Sequence, residues 1–333
     1  MHSTQDLERD SKNKSNILLE VENLKVYYEV LNGIIKAVDH VSFKINKGER
    51  MGLVGESGCG KSTLARSLIR LLPTYCKIFG GKIIFKGENL ILKKEEEIRK
   101  IRGSKIAMIF QDPMTFLNPV IRVGDQIAEA IKVHTNVDKK NAYEMATHSL
   151  ELVKMPNPSE ILYYFPHQLS GGMRQRVMMA MALSCNPELI ILDEPTTALD
   201  VIIQFEIIEM LKDLNKRIDI TMLSISHDIA VIANLCQKIG VMHAGNLIEI
   251  AATNELLKNP VHPYTIGLMG AFPKLKKTDR LKTIKGNAPD LFNPPPGCRF
   301  HERCSFATDI CKSENPKLIE VNLNHYVACH NLG

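Results

Sequence analysis

Gly55-Glu56-Ser57-Gly58-Cys59-Gly60-Lys61-Ser62-Thr63 decides the fold of this chain. It fits the pattern G-x-x-x-x-G-K-[ST], a loop whose backbone N–H groups cradle phosphates. Around it, Leu53-Val54 ends an apolar run, and Leu64, Leu68, Ile69 and Leu72 recur at helical spacing from Lys61 until Pro73. Strand, glycine loop and helix in that order are the context a phosphate-binding loop requires. The glycines let the backbone wrap closely, Lys61 reaches the β- and γ-phosphates, and the Ser62 hydroxyl is offered to Mg²⁺. The unpaired N–H groups of a helix beginning at Lys61 add to the attraction for an anion.

A second stretch completes the first. Leu189-Ile190-Ile191-Leu192-Asp193-Glu194 is an apolar run that ends in two carboxylates. A strand of this kind places Asp193 beside the Mg²⁺ of the nucleotide, and Glu194 is then in line to orient and deprotonate a water. Further β-rich runs are read at Ile17 to Val30, Ile35 to Ile45, Lys82 to Lys86 and Lys105 to Phe110, with a turn at Asn32-Gly33. Val123 to Pro166 reads as helical, and Lys93 to Arg102 as a solvated helix face. After Asp193 the pattern alternates: helix Val201 to Lys216, strand Thr221 to Ile225, helix Asp228 to Ile239. A β pair follows around Gly240 to Met242 and Leu247 to Ala251. Such alternation predicts an α/β fold with a largely parallel sheet covered on both faces.

Composition narrows the functional classes. The 333 residues exceed what one compact core usually organises, so a large domain with an appendix is expected. A net charge of +5 is modest, and no basic block with interleaved aromatics marks a nucleic-acid surface. The polar stretch Met1 to Asn16 is expected to be a disordered tail without a signal-type apolar core. No run approaches the roughly 18 apolar residues of a spanning helix. Beyond Pro260 prolines cluster and periodicity fades, which marks an extension. Of the eight cysteines, Cys298, Cys304, Cys311 and Cys329 fall within it, separated by five, six and seventeen residues. Four thiols suffice for tetrahedral zinc or a cubane iron–sulfur cluster, and spacing alone selects neither. Cys59 reads as a tolerated small residue in the loop, and Met173, Met178, Met179 and Met181 as packing.

Leu169-Ser170-Gly171-Gly172-Met173-Arg174-Gln175 settles which kind of nucleotide machine the chain is similar to. Together with the stretches above it resembles the nucleotide-binding subunit of an ATP-binding cassette (ABC) transporter, over about Ile17 to Pro260. The resemblance implies an ATPase with a P-loop (RecA-like) core, an antiparallel β subdomain and a helical subdomain at about 112–168, within a domain spanning 17–259. It implies that Ser170, Gly171 and Gly172 bind the γ-phosphate of ATP held by a partner subunit. Gln111 resembles the Q-loop residue, which contacts Mg²⁺ and the membrane subunit. Ala198-Leu199-Asp200 resembles the D-loop, and His227 the switch histidine. Tyr28, with Tyr27 as the competing choice, resembles the aromatic that stacks on adenine. Gln111-Asp112-Pro113-Met114-Thr115 with Leu117-Asn118-Pro119, and His262-Pro263-Tyr264-Thr265, resemble the oligopeptide, dipeptide and nickel importers. Phe116 departs from that pattern, where a small residue is more usual. In that branch the extension, here 260–333, implies a [4Fe–4S] cluster on the four cysteines, with zinc as the alternative. The implied partners are a second ATPase subunit, taken to be a paralogue, two permease subunits and an extracytoplasmic binding protein, at the cytoplasmic face of the membrane. The other reading is a non-transport cassette ATPase acting on translation or DNA, which normally carries two cassettes or a long coiled coil.

Overall fold

The computed structural model describes residues 16–111, 116–197, 200–270, 284 and 286–332. Strands β1 (Ile17–Val30) and β2 (Gly33–Asn46) turn on Asn32-Gly33 and are followed by β3 (Arg50–Val54), the glycine loop and helix α1 (Lys61–Leu68). β4 (Cys76–Phe85), the short β5 (Glu88–Asn89), α2 (Glu95–Ile101) and β6 (Ile106–Ile109) come next. Helices α3 (Val123–His134), α4 (Lys139–Leu152) and α5 (Pro158–Ile161) occupy the stretch read as helical, and α6 (Gly171–Leu183) begins at the Ser-Gly-Gly run. β7 (Leu189–Asp193), α7 (Val201–Ile218), β8 (Thr221–Ser226) and α8 (Ile229–Leu235) alternate as the pattern predicts. β9 (Lys238–His243), β10 (Asn246–Ala252), α9 (Thr253–Lys258), α10 (Pro263–Gly270), α11 (Asp309–Ser313), β11 (Ile319–Asn322) and β12 (His325–Val327) complete the chain. Among the described residues no helix is long and apolar enough to cross a membrane.

The chain forms two compact units. The first takes the residues up to Asn46, Arg50–Leu92 and everything from Ser226 onward; the second takes Lys47–Glu49 and Lys93–Ile225. The extension therefore belongs to the unit that carries the glycine loop.

In the first unit, β2, β1, β4 and β5 make an antiparallel sheet in that order. Alternating Leu19, Val21, Leu24 and Val26 of β1 are buried, as one packed face of such a sheet demands. β3 runs parallel to β9, with Leu53 opposite Gly240. β9 continues antiparallel into β10, and the extension adds β12 and then β11 to the free edge of β10. Added strands of this kind satisfy an edge that would otherwise stay open. α8 lies close against β3, so close that a Cβ on Gly52 would stand 2.1 Å from Ile232 Cγ2.

Glu249 fastens the extension to this unit. Its carboxylate is fully buried and accepts from the backbone N–H of Val261 (2.8 Å) and of His262 (2.9 Å), while His325 Nε2 on β12 lies 2.8 Å away. A buried carboxylate is tolerable only when so many partners replace its water. His262 Nδ1 in turn accepts from the N–H of Tyr264 and starts α10.

In the second unit β6, β7 and β8 are parallel neighbours, with Ile109 opposite Leu192 and Asp193 opposite Ile225. All of β7 is buried, in keeping with its unbroken apolar run. Apolar faces of α3, α4 and α6 meet through Ile127, Ile131, Ala146, Leu150 and Val177, all shielded from solvent. Met178 and Met179 are buried among them, as expected for packing residues. Asn215 at the end of α7 donates to the carbonyls of Gly48 and Ile220, which ties the Lys47–Glu49 turn into the unit.

Several elements differ from the sequence expectation. α1 stops at Leu68 rather than running to Leu72, because Arg70 takes a left-handed φ of 52° and Leu71 N–H bonds back to the Arg66 carbonyl. α8 ends at Leu235, and Lys238-Ile239 open β9 instead of closing the helix. The proline-rich extension, expected to lack periodic structure, contains α10, α11 and the β11–β12 pair. The expected tail over Met1 to Asn16 lies outside the described residues except for Asn16. Removing the Glu249 carboxylate in Glu249→Ala is expected to lower the unfolding free energy by about 3 kcal/mol in denaturant titration, since a buried partner set is left uncompensated.

Candidate active site

The glycine loop follows β3 directly. Gly60 has φ 105°, and a Cβ there would stand 1.9 Å from the Ala37 carbonyl oxygen. A Cβ on Gly55 would meet the Met242 carbonyl oxygen at 2.2 Å. Both positions therefore admit only glycine, and the loop is pressed between the β2 segment and the end of β9. Lys61 is nearly buried, and its Nζ donates to the Gly55 carbonyl (2.8 Å) and the Glu56 carbonyl (2.9 Å). The ammonium thus lies across the mouth of the loop. α1 has no acidic residue in its first turn, so its N-terminal field is left positive for an anion.

Tyr28 and Tyr27 separate clearly. The Tyr28 hydroxyl is 2.8 Å from Thr63 Oγ1, beside the start of α1. Tyr27 instead donates to Asp39 at 2.6 Å and packs on Phe79. Tyr28 is the aromatic that stands on the loop side. Cys59 is buried, with Sγ 3.5 Å from Lys61 Nζ, and burial pushes its thiol up, so it stays protonated. Ser57 and Gly58 are exposed on the loop.

Glu56 is held by residues of the extension. Its N–H donates to the Tyr264 hydroxyl at 3.0 Å. Its carboxylate accepts both ends of the Arg303 guanidinium at 2.9 and 2.8 Å, and that guanidinium keeps the Glu56 carboxyl below the usual range. Sequence reading found neither Arg303 nor Tyr264 as a site residue. The His262-Pro263-Tyr264-Thr265 stretch marks the neighbourhood of one of them; nothing in the sequence marks the other. His227, between β8 and α8, is exposed, and the following Asp228 caps α8 through the Ala230 N–H.

In the second unit β7 ends on Asp193, whose side chain is buried. Glu194 follows with φ 52°, an uncommon left-handed conformation that turns the chain sharply out of the strand. Its carboxylate accepts from Gln111 Nε2 (3.0 Å) and Thr197 Oγ1 (2.9 Å). Gln111, which resembles the Q-loop residue, and Glu194, the expected general base, are therefore direct partners. Ser170 caps α6 through the Met173 N–H, and Asp200 caps α7 through the Ile203 N–H. A Cβ on Gly172 would stand 2.8 Å from Ile203 Cγ2, which explains a glycine inside the first turn of α6 next to Gly171. Phe116 stacks on Phe110 with centroids 4.3 Å apart, a contact a small residue there would lack. Asp112 to Thr115, Ala198 and Leu199 lie outside the described residues.

The four cysteines of the extension form no assembled ligand set among the described residues. All are free thiols, and among the described residues no three His, Cys, Asp or Glu side chains gather as metal ligands. Two of them have local partners: Cys311 Sγ lies 3.4 Å from Thr308 Oγ1, and Cys329 Sγ 3.7 Å from the Asn331 carbonyl. Burial pushes Cys298 up to about 11, with further upward contributions from Cys311, Cys329 and Cys304.

A phosphate loop opening a helix, a strand-end Asp-Glu pair bonded to a glutamine, and a Ser-Gly-Gly helix start are the parts of a P-loop ATPase. Residues 38–197 match the family model described as ABC transporter, and residues 248–311 match the oligopeptide/dipeptide transporter C-terminal region. A probable peptide ABC transporter ATP-binding protein of Sinorhizobium fredii is 46% identical over 322 residues, 96% of each chain. The dipeptide transport ATP-binding protein of Bacillus subtilis is 45% identical over 94% of each chain. Among solved structures, a dimeric ATP-binding cassette in a post-hydrolysis state bound to ADP and Pi aligns with TM-score 0.64 and 27% identity, covering 71% of this chain and 99% of that one. The chain belongs to the ATP-binding subunits of ABC transporters, in the branch that carries the oligopeptide/dipeptide C-terminal region. It is an ATPase of that family.

The two glycines give a sharp test of the loop geometry. Gly60→Ala is expected to weaken ATP binding more than roughly tenfold, because its Cβ meets the Ala37 carbonyl. Gly58→Ala, whose Cβ meets nothing within 4 Å, bears only the left-handed penalty of about 1–2 kcal/mol and is expected to lose less. Equilibrium titration with a fluorescent ATP analogue ranks the two.

Proposed function

We propose that this chain drives peptide uptake as the ATP-hydrolysing subunit of an importer, docked at the cytoplasmic face of the membrane on two permease subunits. The reading rests on one observation above others. A cassette region and an oligopeptide/dipeptide C-terminal region stand on a single chain that aligns over 96% of its length with a peptide-transporter ATPase. That pairing also favours transport over a cassette protein acting on translation or DNA. The cargo reaches the permeases from an extracytoplasmic binding protein, and a second ATPase subunit, a paralogue in this proposal, faces this one.

In the same proposal Gly55 to Thr63 wrap the phosphates of ATP, Lys61 leaves its loop carbonyls for the β- and γ-phosphates, and Tyr28 stacks on adenine. Ser62, Asp193 and Gln111 would hold a Mg²⁺, which would neutralise phosphate charge there. Glu194 accepts the proton of the attacking water, with Gln111 and Thr197 fixing its carboxylate and His227 reporting on the γ-phosphate. Ser170, Gly171 and Gly172 offer the α6 N-terminus to the nucleotide held by the partner subunit, with Asp200 at the same face. ATP then bridges two subunits, and its hydrolysis releases them, the stroke that opens and closes the permease pathway.

Glu194→Gln is expected to keep ATP binding while turnover falls by roughly 10²–10⁴-fold. Near-wild-type phosphate release by that variant overturns the assignment of the base. For the extension we propose that Cys298, Cys304, Cys311 and Cys329 take up an iron–sulfur cluster or zinc, supported by four soft donors whose charges bear on one another. Uptake must draw the thiols together and expel their protons. Anaerobic purification with iron, sulfide and zinc analysis is expected to find near-stoichiometric metal, lost when Cys298 and Cys311 are replaced by Ser; metal-free wild-type protein contradicts it.

A further inference from the structure

The extension reaches the glycine loop from two sides. On one side stands Arg303, whose Nη1 and Nη2 donate to Glu56 Oε2 (2.9 Å) and Oε1 (2.8 Å). The pair spans 247 residues of sequence. The Arg303 side chain is only 8% exposed, while the Glu56 side chain it grips is half-buried at 29% exposure. The Phe300 ring lies 5.8 Å from its guanidinium. One α-carbon away from that carboxylate, the Glu56 N–H donates to the Tyr264 hydroxyl. Glu56 is thus held at its backbone and at its side chain by two residues of the extension. Tyr264 is itself fully buried, packed with His243 and Phe300 at ring-centroid distances of 4.4 and 5.4 Å.

On the other side stands Arg299. It donates to Asp39, to the Ala244 carbonyl and, at 3.3 Å, to the Lys36 carbonyl. These groups wall the loop at its far end. Gly60 is pressed on the Ala37 carbonyl, one residue from Lys36, and Gly245 N–H bonds to the Cys59 carbonyl at 2.9 Å. Lys36 N–H also donates to the Leu291 carbonyl of the extension. Both ends of the phosphate loop therefore take their placement from residues beyond 260.

We propose that Arg303 and Tyr264 are positioning residues of the phosphate loop, so that the affinity of the site for ATP is set in part by the C-terminal extension. Neither side chain touches the phosphates in this account. They fix Glu56 so that the amides from Gly58 to Thr63 need no reordering when ATP arrives, and a loop released from them pays that ordering on binding. The extension is then a component of the nucleotide site, and not only an appendage to it. The inference rests on the ATPase reading of the loop.

The test uses the full-length chain and magnesium ATP, with Kd from a fluorescent-analogue titration and KM and kcat from phosphate release. Arg303→Gln is expected to raise Kd and KM roughly tenfold while kcat at saturation stays within about twofold. Arg303→Lys, which keeps the charge but loses the paired geometry, is expected to recover part of the loss. Tyr264→Phe, which removes only the acceptor hydroxyl, is expected to weaken ATP binding a few-fold. Because Arg303 acts through Glu56, Glu56→Gln combined with Arg303→Gln is expected to bind ATP no more weakly than the worse single variant.

Wild-type affinity in both Arg303→Gln and Tyr264→Phe overturns the proposal. So does a fall in kcat with KM unchanged, or full additivity of the Glu56 and Arg303 changes. If Arg303→Gln does not fold, Arg303→Lys and Tyr264→Phe decide the question by the same criteria. Wild-type protein that binds no ATP defeats the ATPase reading itself; binding wild-type protein with indifferent variants defeats this inference alone.

Discussion

The first unit depends on a backbone contact too close for any side chain: Gly60 against the Ala37 carbonyl. A loop that holds several phosphate oxygens must present its amides inward, and its outer side must then lie flush on something rigid. Here that support is the β2 strand and the β9–β10 turn, themselves fixed by Arg299. Glycine supplies the approach, and the surrounding strands support the loop from outside. Lys61, bonded to two loop carbonyls, serves the same end by occupying the mouth with a positive charge.

The second unit solves a different problem, the placement of charge where a strand ends. β7 is buried throughout and apolar up to its final Asp193, so a packed core fixes where that residue stands. Asp193 is carried by that strand, and the left-handed Glu194 is turned out to meet Gln111 and Thr197. Strain of this kind persists only where neighbours hold it, and hydrogen bonds on both the backbone and the carboxylate of Glu194, among them its N–H to the Ile225 carbonyl, do so. The two helix starts at Ser170 and Asp200 are capped in the same manner, one side-chain oxygen on one backbone N–H.

What the sequence made legible was local. The phosphate loop, the Asp193-Glu194 strand end and the Ser170 helix start are each contiguous, so short motifs and the family resemblance they carry find them. The choice between Tyr27 and Tyr28 was not legible, because both lie on one strand and only Asp39 and Thr63 separate them. The β11–β12 pair escaped because it is short and joins an edge strand some seventy residues earlier. Arg303 escaped for the same reason in stronger form: an arginine beside a cysteine carries no sign that its partner stands 247 positions away. For the four cysteines, spacing alone selects no metal, and the local contacts of Cys311 with Thr308 and of Cys329 with Asn331 are equally unmarked in the sequence.

The central claim is that this chain binds and uses ATP through the loop at Gly55 to Thr63. Calorimetric titration of the full-length protein with magnesium ATP tests it most directly. The account predicts saturable binding of one nucleotide per chain, abolished by Lys61→Ala in a variant that remains folded by circular dichroism. Folded wild-type protein that shows no binding, or binding indifferent to Lys61, contradicts it.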